Sequence, residues 1–97
     1  MLKHIELFKI KDEYKKDLHI IKNLMYSMKD NIDCIQGIQV GLDIFQIESS
    51  YDIALEVLVD SYNDLMEYQN HPYHIGHIKI LMNKVQISSV TVDYEIE

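Results

Sequence analysis

Tyr14, Leu18, Ile21, Met25, Met28 and Ile32 recur at intervals of four and three residues. That spacing gathers side chains onto one stripe of an α-helix. The stripe runs for nearly twenty residues and so requires an apolar surface to lie against. Asp12 and Glu13 stand where the helix begins, a position at which negative charge is favoured by the helix dipole. The flanking segments follow a different period. In residues 3–11, Ile5 and Leu7 alternate with His4, Glu6, Phe8 and Ile10, so both faces of the predicted strand carry apolar residues. Turn-forming residues fill 31–37. Ile38, Val40, Leu42 and Ile44 then sit at period two, and Glu48-Ser49-Ser50 turns the chain into Tyr51, Ile53, Leu55, Val57 and Val59. These two strands are expected to form an antiparallel hairpin.

Asp60 or Ser61 can cap a short helix over 62–69, with Asp64 placed for a capping box if Ser61 is the cap. Tyr62, Leu65, Met66 and Tyr68 are the expected buried side. Pro72 ends this helix, and Ile75, Ile78, Leu81 and Met82 predict a second helical piece from Tyr73 to about Lys84. Val90, Val92, Tyr94 and Ile96 alternate in a terminal strand. The order is βαββαβ, an α+β class, the ferredoxin-like split arrangement with an antiparallel sheet and helices on one face. Helices can cover only one side of such a sheet. Strands one and four are apolar at both parities, so the second side needs a cover, and an isologous pairing of two sheets in a homodimer is the expected one.

Several function classes drop out on composition. The 97 residues read as a single domain, 1–97, without linker or repeat. Sixteen acids face nine lysines and no arginine, for a net charge of −7. Nucleic acid is therefore not an expected partner, since duplex binding needs a cationic footprint. No apolar run approaches the roughly 20 residues of a membrane span. Lys3, Glu6 and Lys9 interrupt the first ten residues and spoil a secretory signal, which makes the cytoplasm the expected location. One cysteine, Cys34, excludes an internal disulfide framework and fits a reducing compartment. Its neighbour Asp33 gives no cause for thiolate activation, so Cys34 is expected as a small buried hydrophobe. GxSxG, GxGxxG and GxxxxGK[ST] are all absent.

Chemistry concentrates in the histidines and tyrosines, five and seven of them. The densest segment is EYQNHPYHIGHIK, Glu67 to Lys79. His71, His74 and His77 are three apart, but no cysteine or HExxH-type glutamate accompanies them, and neither a metal nor another cofactor is expected. Acid–base work is the other reading. A histidine titrates near neutrality, and a phenol beside it can hold a carbonyl or relay a proton. The topology allows His4, Tyr68 and His74 to meet if strand one lies under the second helical region.

Taken together, KHIELFKIK at the start, GIQVG, YDIALEV, EYQNHPYH and the terminal VDYE resemble the stress-responsive dimeric α/β-barrel (Dabb) family over nearly the whole chain. The resemblance implies a ferredoxin-like subunit whose sheet pairs with its twin's to close a barrel-shaped dimer. It also implies a stress-responsive-type protein that is structural or binds a small hydrophobic ligand between sheet and helices. The alternative it implies is a lyase resembling the cofactor-independent polyketide cyclases of the family, which close a linear polyketide by aldol condensation. Carried onto this sequence, His74 is then the general base, with His4 and Tyr68 orienting the substrate. Glu6, Phe8, Tyr26, Leu55 and His77 are the expected ligand-contacting residues. Glu6 shares a strand face with His4, and a carboxylate there requires a partner, either His4 or His77.

Overall fold

The computed structural model describes residues 1–97. The first strand, β1 (Leu2–Ile10), leads through a 3-10 helix (Asp12–Asp17) into α1 (Leu18–Tyr26) and the short α2 (Met28–Asn31). Strands β2 (Gly37–Leu42) and β3 (Ile53–Val59) follow, then α3 (Tyr62–Asn70). A π-helical segment (His74–Lys79) continues into α4 (Ile80–Val85), and β4 (Gln86–Glu95) closes the chain. The four strands make one antiparallel sheet in the order β2-β3-β1-β4. This is the ferredoxin-like α+β arrangement.

The predicted helical stripe forms the centre of the core. Ile21, Met25, Met28 and Ile32 are all buried, against Val40, Ile53, Leu55 and Val57 from the sheet. The stripe is not one regular helix: its first turn is 3-10, and Ser27 separates α1 from α2. Cys34 is buried in the same cluster, its thiol pushed up to about 11 by burial. Ser61 is the cap of α3, its Oγ accepting the Asp64 N–H at 3.2 Å. Leu65 and Tyr68 are buried as expected. Tyr62 and Met66 point to solvent instead, because a nine-residue helix at the edge of the core hides only one narrow face.

Two strand boundaries differ from the sequence reading. β2 stops at Leu42, β3 starts at Ile53, and the hairpin carries a long loop between them rather than a tight turn at 48–50. Ile44 and Phe45 project from it, 92% and 78% exposed. The loop is tied down from β1, where Lys9 Nζ donates to the carbonyls of Glu48 and Ser50. Asp52 ends it, buried, its carboxylate accepting the Ile10 N–H at 2.7 Å. The β1–β3 ladder stops at Phe8 and Ile53, so this N–H has no strand partner, and the carboxylate supplies an acceptor that period-two counting cannot foresee.

The register sorts the sheet into two faces. His4, Glu6, Phe8 and Ile10 of β1 point to the helices, opposite Val57, Leu55 and Ile53 of β3. On the other face lie Ile5 and Leu7, with Ala54, Leu58, Val90, Val92 and Tyr94 at neighbouring register positions. β4 therefore runs against the usual order. Its apolar parity is on the bare side, with Val92 53% exposed, while Ser89, Thr91 and Asp93 face the helix side.

Candidate functional site

The segment EYQNHPYH shapes one wall of the site. α3 ends at Asn70, and His71 is extended (φ −64°, ψ 136°), its Nδ1 accepting the Tyr73 N–H at 3.1 Å. Pro72 stands in the first turn of the next helix, where a missing N–H leaves nothing unsatisfied. The chain then widens into the π-helical segment, a form frequent at functional sites. His74 is its first residue. The His74 Nδ1 lies 3.1 Å from the Gln69 carbonyl oxygen, near the end of α3. A carbonyl can only accept, so Nδ1 carries the proton and the Nε2 lone pair is left free. Burial holds the His74 pKa below the usual histidine value, so the ring is a neutral base at pH 7.

His4 is in the opposite condition. It is 2% exposed, with Nδ1 2.6 Å from Asp93 Oδ1 and Nε2 3.5 Å from Glu6 Oε1. Burial works against its charged form, but the two carboxylates outweigh that and raise its pKa. Glu6 thus finds its partner in His4. Two histidines in one site are pushed in opposite directions, one toward base and one toward acid, by the separate causes of desolvation and carboxylate contact.

Tyr68 stands between them. Its ring centroid is 5.6 Å from that of His4 and 4.7 Å from that of His74. The side chain is fully buried, and its hydroxyl is the one buried side-chain polar atom with no hydrogen-bond partner. Burial, with the negative charge of Glu6 and Asp93 adding to it, raises its pKa well above the ordinary tyrosine value. It therefore stays a phenol with a proton to donate.

A cavity of about 300 Å³ lies beside the two histidines, between the sheet and the second helical region; Tyr68, fully buried between their rings, does not line it. His4, Glu6, Phe8 and Leu55 line it from β1 and β3, and His74 lines it from above. Gln69, Asn83, Gln86, Ser89 and Thr91 also line it, and none of them stood out in the sequence. Only four of its thirteen lining residues are hydrophobic, a more polar wall than a hydrophobic ligand leads one to expect. The signal that could have found Ser89, Thr91 and Asp93 is the alternation of β4, where the polar parity faces inward. Tyr26 and His77 do not line the cavity. The Tyr26 hydroxyl accepts the Val40 N–H at 3.0 Å and lies 3.2 Å from the Val40 carbonyl, which fastens α1 to β2. His77 is exposed, its ring 4.5 Å from that of Tyr73.

No three His, Cys, Asp or Glu side chains are gathered as a metal-holding set. The arrangement sets a neutral base and a histidine favoured toward its charged form on the walls of one volume, with an unpaired phenol buried between them. It can take a proton from a bound molecule and stabilise negative charge developing on an oxygen.

The chain matches the family model "Stress responsive A/B Barrel Domain" over residues 2–96. It is 31% identical to a dimeric ferredoxin-like protein of unknown function from Bacteroides fragilis, covering 98% of this chain and 95% of that one with a TM-score of 0.80. A dimeric ferredoxin-like protein of unknown function from Thermobifida fusca is 21% identical, with 98% and 90% covered and a TM-score of 0.83. The hydroxynitrile lyase of Passiflora edulis superposes with a TM-score of 0.86 at 15% identity, with 99% and 93% covered. No curated protein matches this chain. No helix is long and apolar enough to cross a membrane. The chain belongs to the stress-responsive A/B barrel family.

Proposed function

We propose that this member of the family is a cytoplasmic homodimer, a single domain per chain, that binds a small carbonyl compound between sheet and helices and acts on it without a cofactor. His74 Nε2 removes a proton from the carbon beside the carbonyl. The electron pair moves onto the carbonyl oxygen, where protonated His4 stabilises it, and Tyr68 holds the two histidine rings apart. The single observation that carries this reading is that two oppositely tuned histidines, His4 and His74, line one cavity, with the unpaired Tyr68 hydroxyl buried between their rings. A buried polar group without a partner costs on the order of 1–3 kcal/mol. A purely structural dimer gains nothing by keeping it. The Passiflora edulis protein, a lyase of the same fold, supports the chemistry.

The homodimer rests on the bare sheet face. Val90, Val92 and Tyr94 are each 44–53% exposed there, and the Bacteroides fragilis and Thermobifida fusca neighbours are dimeric. Pairing two such faces buries what one helix layer leaves open.

Exchange of α-hydrogens for deuterium in acetylacetone and dihydroxyacetone, followed by NMR in heavy water, tests the chemistry without knowledge of the natural substrate. The wild type is expected to accelerate exchange in at least one probe and His74→Ala to lose it while keeping its oligomeric state. Equal exchange by both proteins would remove His74 as the base.

A further inference from the structure

We propose that the ligand of this cavity is a small, neutral, hydroxyl-rich carbonyl compound, and that Glu6 is the residue that selects it over an apolar one. The inference rests on the carbonyl-site reading above and adds the substrate class.

Three observations carry it. Glu6 lies in the cavity wall one strand pitch from His4, yet its Oε1 is 3.5 Å from His4 Nε2, a loose contact. An ionised carboxylate accepts about four hydrogen bonds, so Glu6 has capacity to spare for a donor. A hydroxyl provides such a donor, and an alkyl or aryl group does not. An apolar ligand would strip water from the carboxylate without replacing its hydrogen bonds, which is costly.

The second observation is the inverted alternation of β4. Ser89 and Thr91 stand directly opposite Phe8 and Glu6 on the helix side, where a sheet ordinarily places its apolar residues. Both line the cavity, as do Gln69, Asn83 and Gln86. Hydroxyls and amides both donate and accept, which suits a partner that does the same.

The third is what the remaining wall provides. Phe8, Leu55, Ile78 and Met82 form apolar patches, matching the C–H surfaces that a polyhydroxylated chain or ring keeps between its hydroxyls. Lys79 also lines the cavity, so charges of both signs surround it and neither a strong cation nor a strong anion is singled out. A volume of about 300 Å³ is at the small end of ligand sites, which sets the size of the compound.

Saturation-transfer NMR and calorimetry with dihydroxyacetone, a panel of pentoses and acetophenone test the proposal. Hydroxylated carbonyls are expected to bind the wild type and acetophenone not to. Glu6→Leu is expected to weaken the hydroxylated probes by about tenfold, the loss of roughly one charge-assisted hydrogen bond, and to admit acetophenone. Glu6→Gln keeps the shape of the side chain and is expected to retain most of the binding, which guards against a folding defect in the leucine variant. Preference of the wild type for acetophenone would overturn the ligand class while leaving the site itself standing. Binding of hydroxylated probes with α-hydrogen exchange unaffected by His74→Ala would uphold the ligand class and remove the general base. Binding of neither class would overturn both.

Discussion

His4 Nδ1 lies 2.6 Å from Asp93 Oδ1, joining the first strand to the last across 89 positions of sequence. The contact does two things. It ties the edge strand β4 to β1, and it raises the His4 pKa where burial alone would lower it.

Stability is therefore expected to depend on this pair in a pH-dependent way. A histidine held above its ordinary 6.5 contributes stabilisation that is complete below that value and is lost as pH rises through the raised one. Asp93→Asn is expected to cost about 1 kcal/mol on the acid side, the low end for a charge-assisted bond because Asp93 is partly exposed. The penalty narrows above the folded pKa. Urea titrations on either side of neutrality measure it, and an equal penalty at both would show that His4 does not change its charge between them.

His74 carries the opposite sign. Its folded pKa lies below the ordinary value because burial penalises the cation. The unfolded chain takes up that proton first, so this residue destabilises the fold as pH falls below about 6.5. Long-range nitrogen NMR at pH 7 is expected to find the Nδ1–H tautomer, set by the Gln69 carbonyl. A doubly protonated ring at that pH would leave no base in the site.

Tyr68→Phe is expected to raise stability in the absence of ligand by about 1 kcal/mol, because it removes an unsatisfied buried hydroxyl without opening a cavity. The same substitution is expected to reduce α-hydrogen exchange through the histidine rings that Tyr68 packs between. Thermal or urea unfolding reads the first effect. A loss of stability instead would mean that the hydroxyl has a partner in the folded protein.

Val92→Lys places a charge on the edge strand of the bare sheet face, opposite Ile5 of β1. Sedimentation is expected to show monomer, since an unpaired ammonium buried between two paired sheets is strongly disfavoured. A soluble dimer unchanged by the substitution would relocate the interface.

The residues of the site differ in how far sequence could reach them. His4, Tyr68 and His74 stood out because histidines and tyrosines are concentrated and because EYQNHPYH resembles a family pattern. Their convergence agrees with that reading: strand and helix bring together residues 64 and more positions apart. Asp93 and the polar parity of β4 did not stand out, since the strand reads as apolar at both parities. The pairing register shows Ser89, Thr91 and Asp93 facing the helices, and Val90, Val92 and Tyr94 facing away. Tyr26 illustrates the reverse error. Expected among the ligand contacts, it spends its hydroxyl on the Val40 backbone of β2.

The sequence by itself determined the elements, their order and hence the fold, because period and punctuation are local properties written in adjacent residues. The helical stripe, the cap at Ser61 and the break at Pro72 each depend on a few neighbours. Tertiary structure alone decided which face of β4 is inside, that the Asp52 carboxylate accepts the Ile10 N–H, and that Glu6 pairs with His4 rather than His77. It also decided the opposite tuning of the two histidines. Charge and burial at a side chain are sums over groups brought near by folding, so residues alike in sequence become an acid and a base only once their surroundings are assembled.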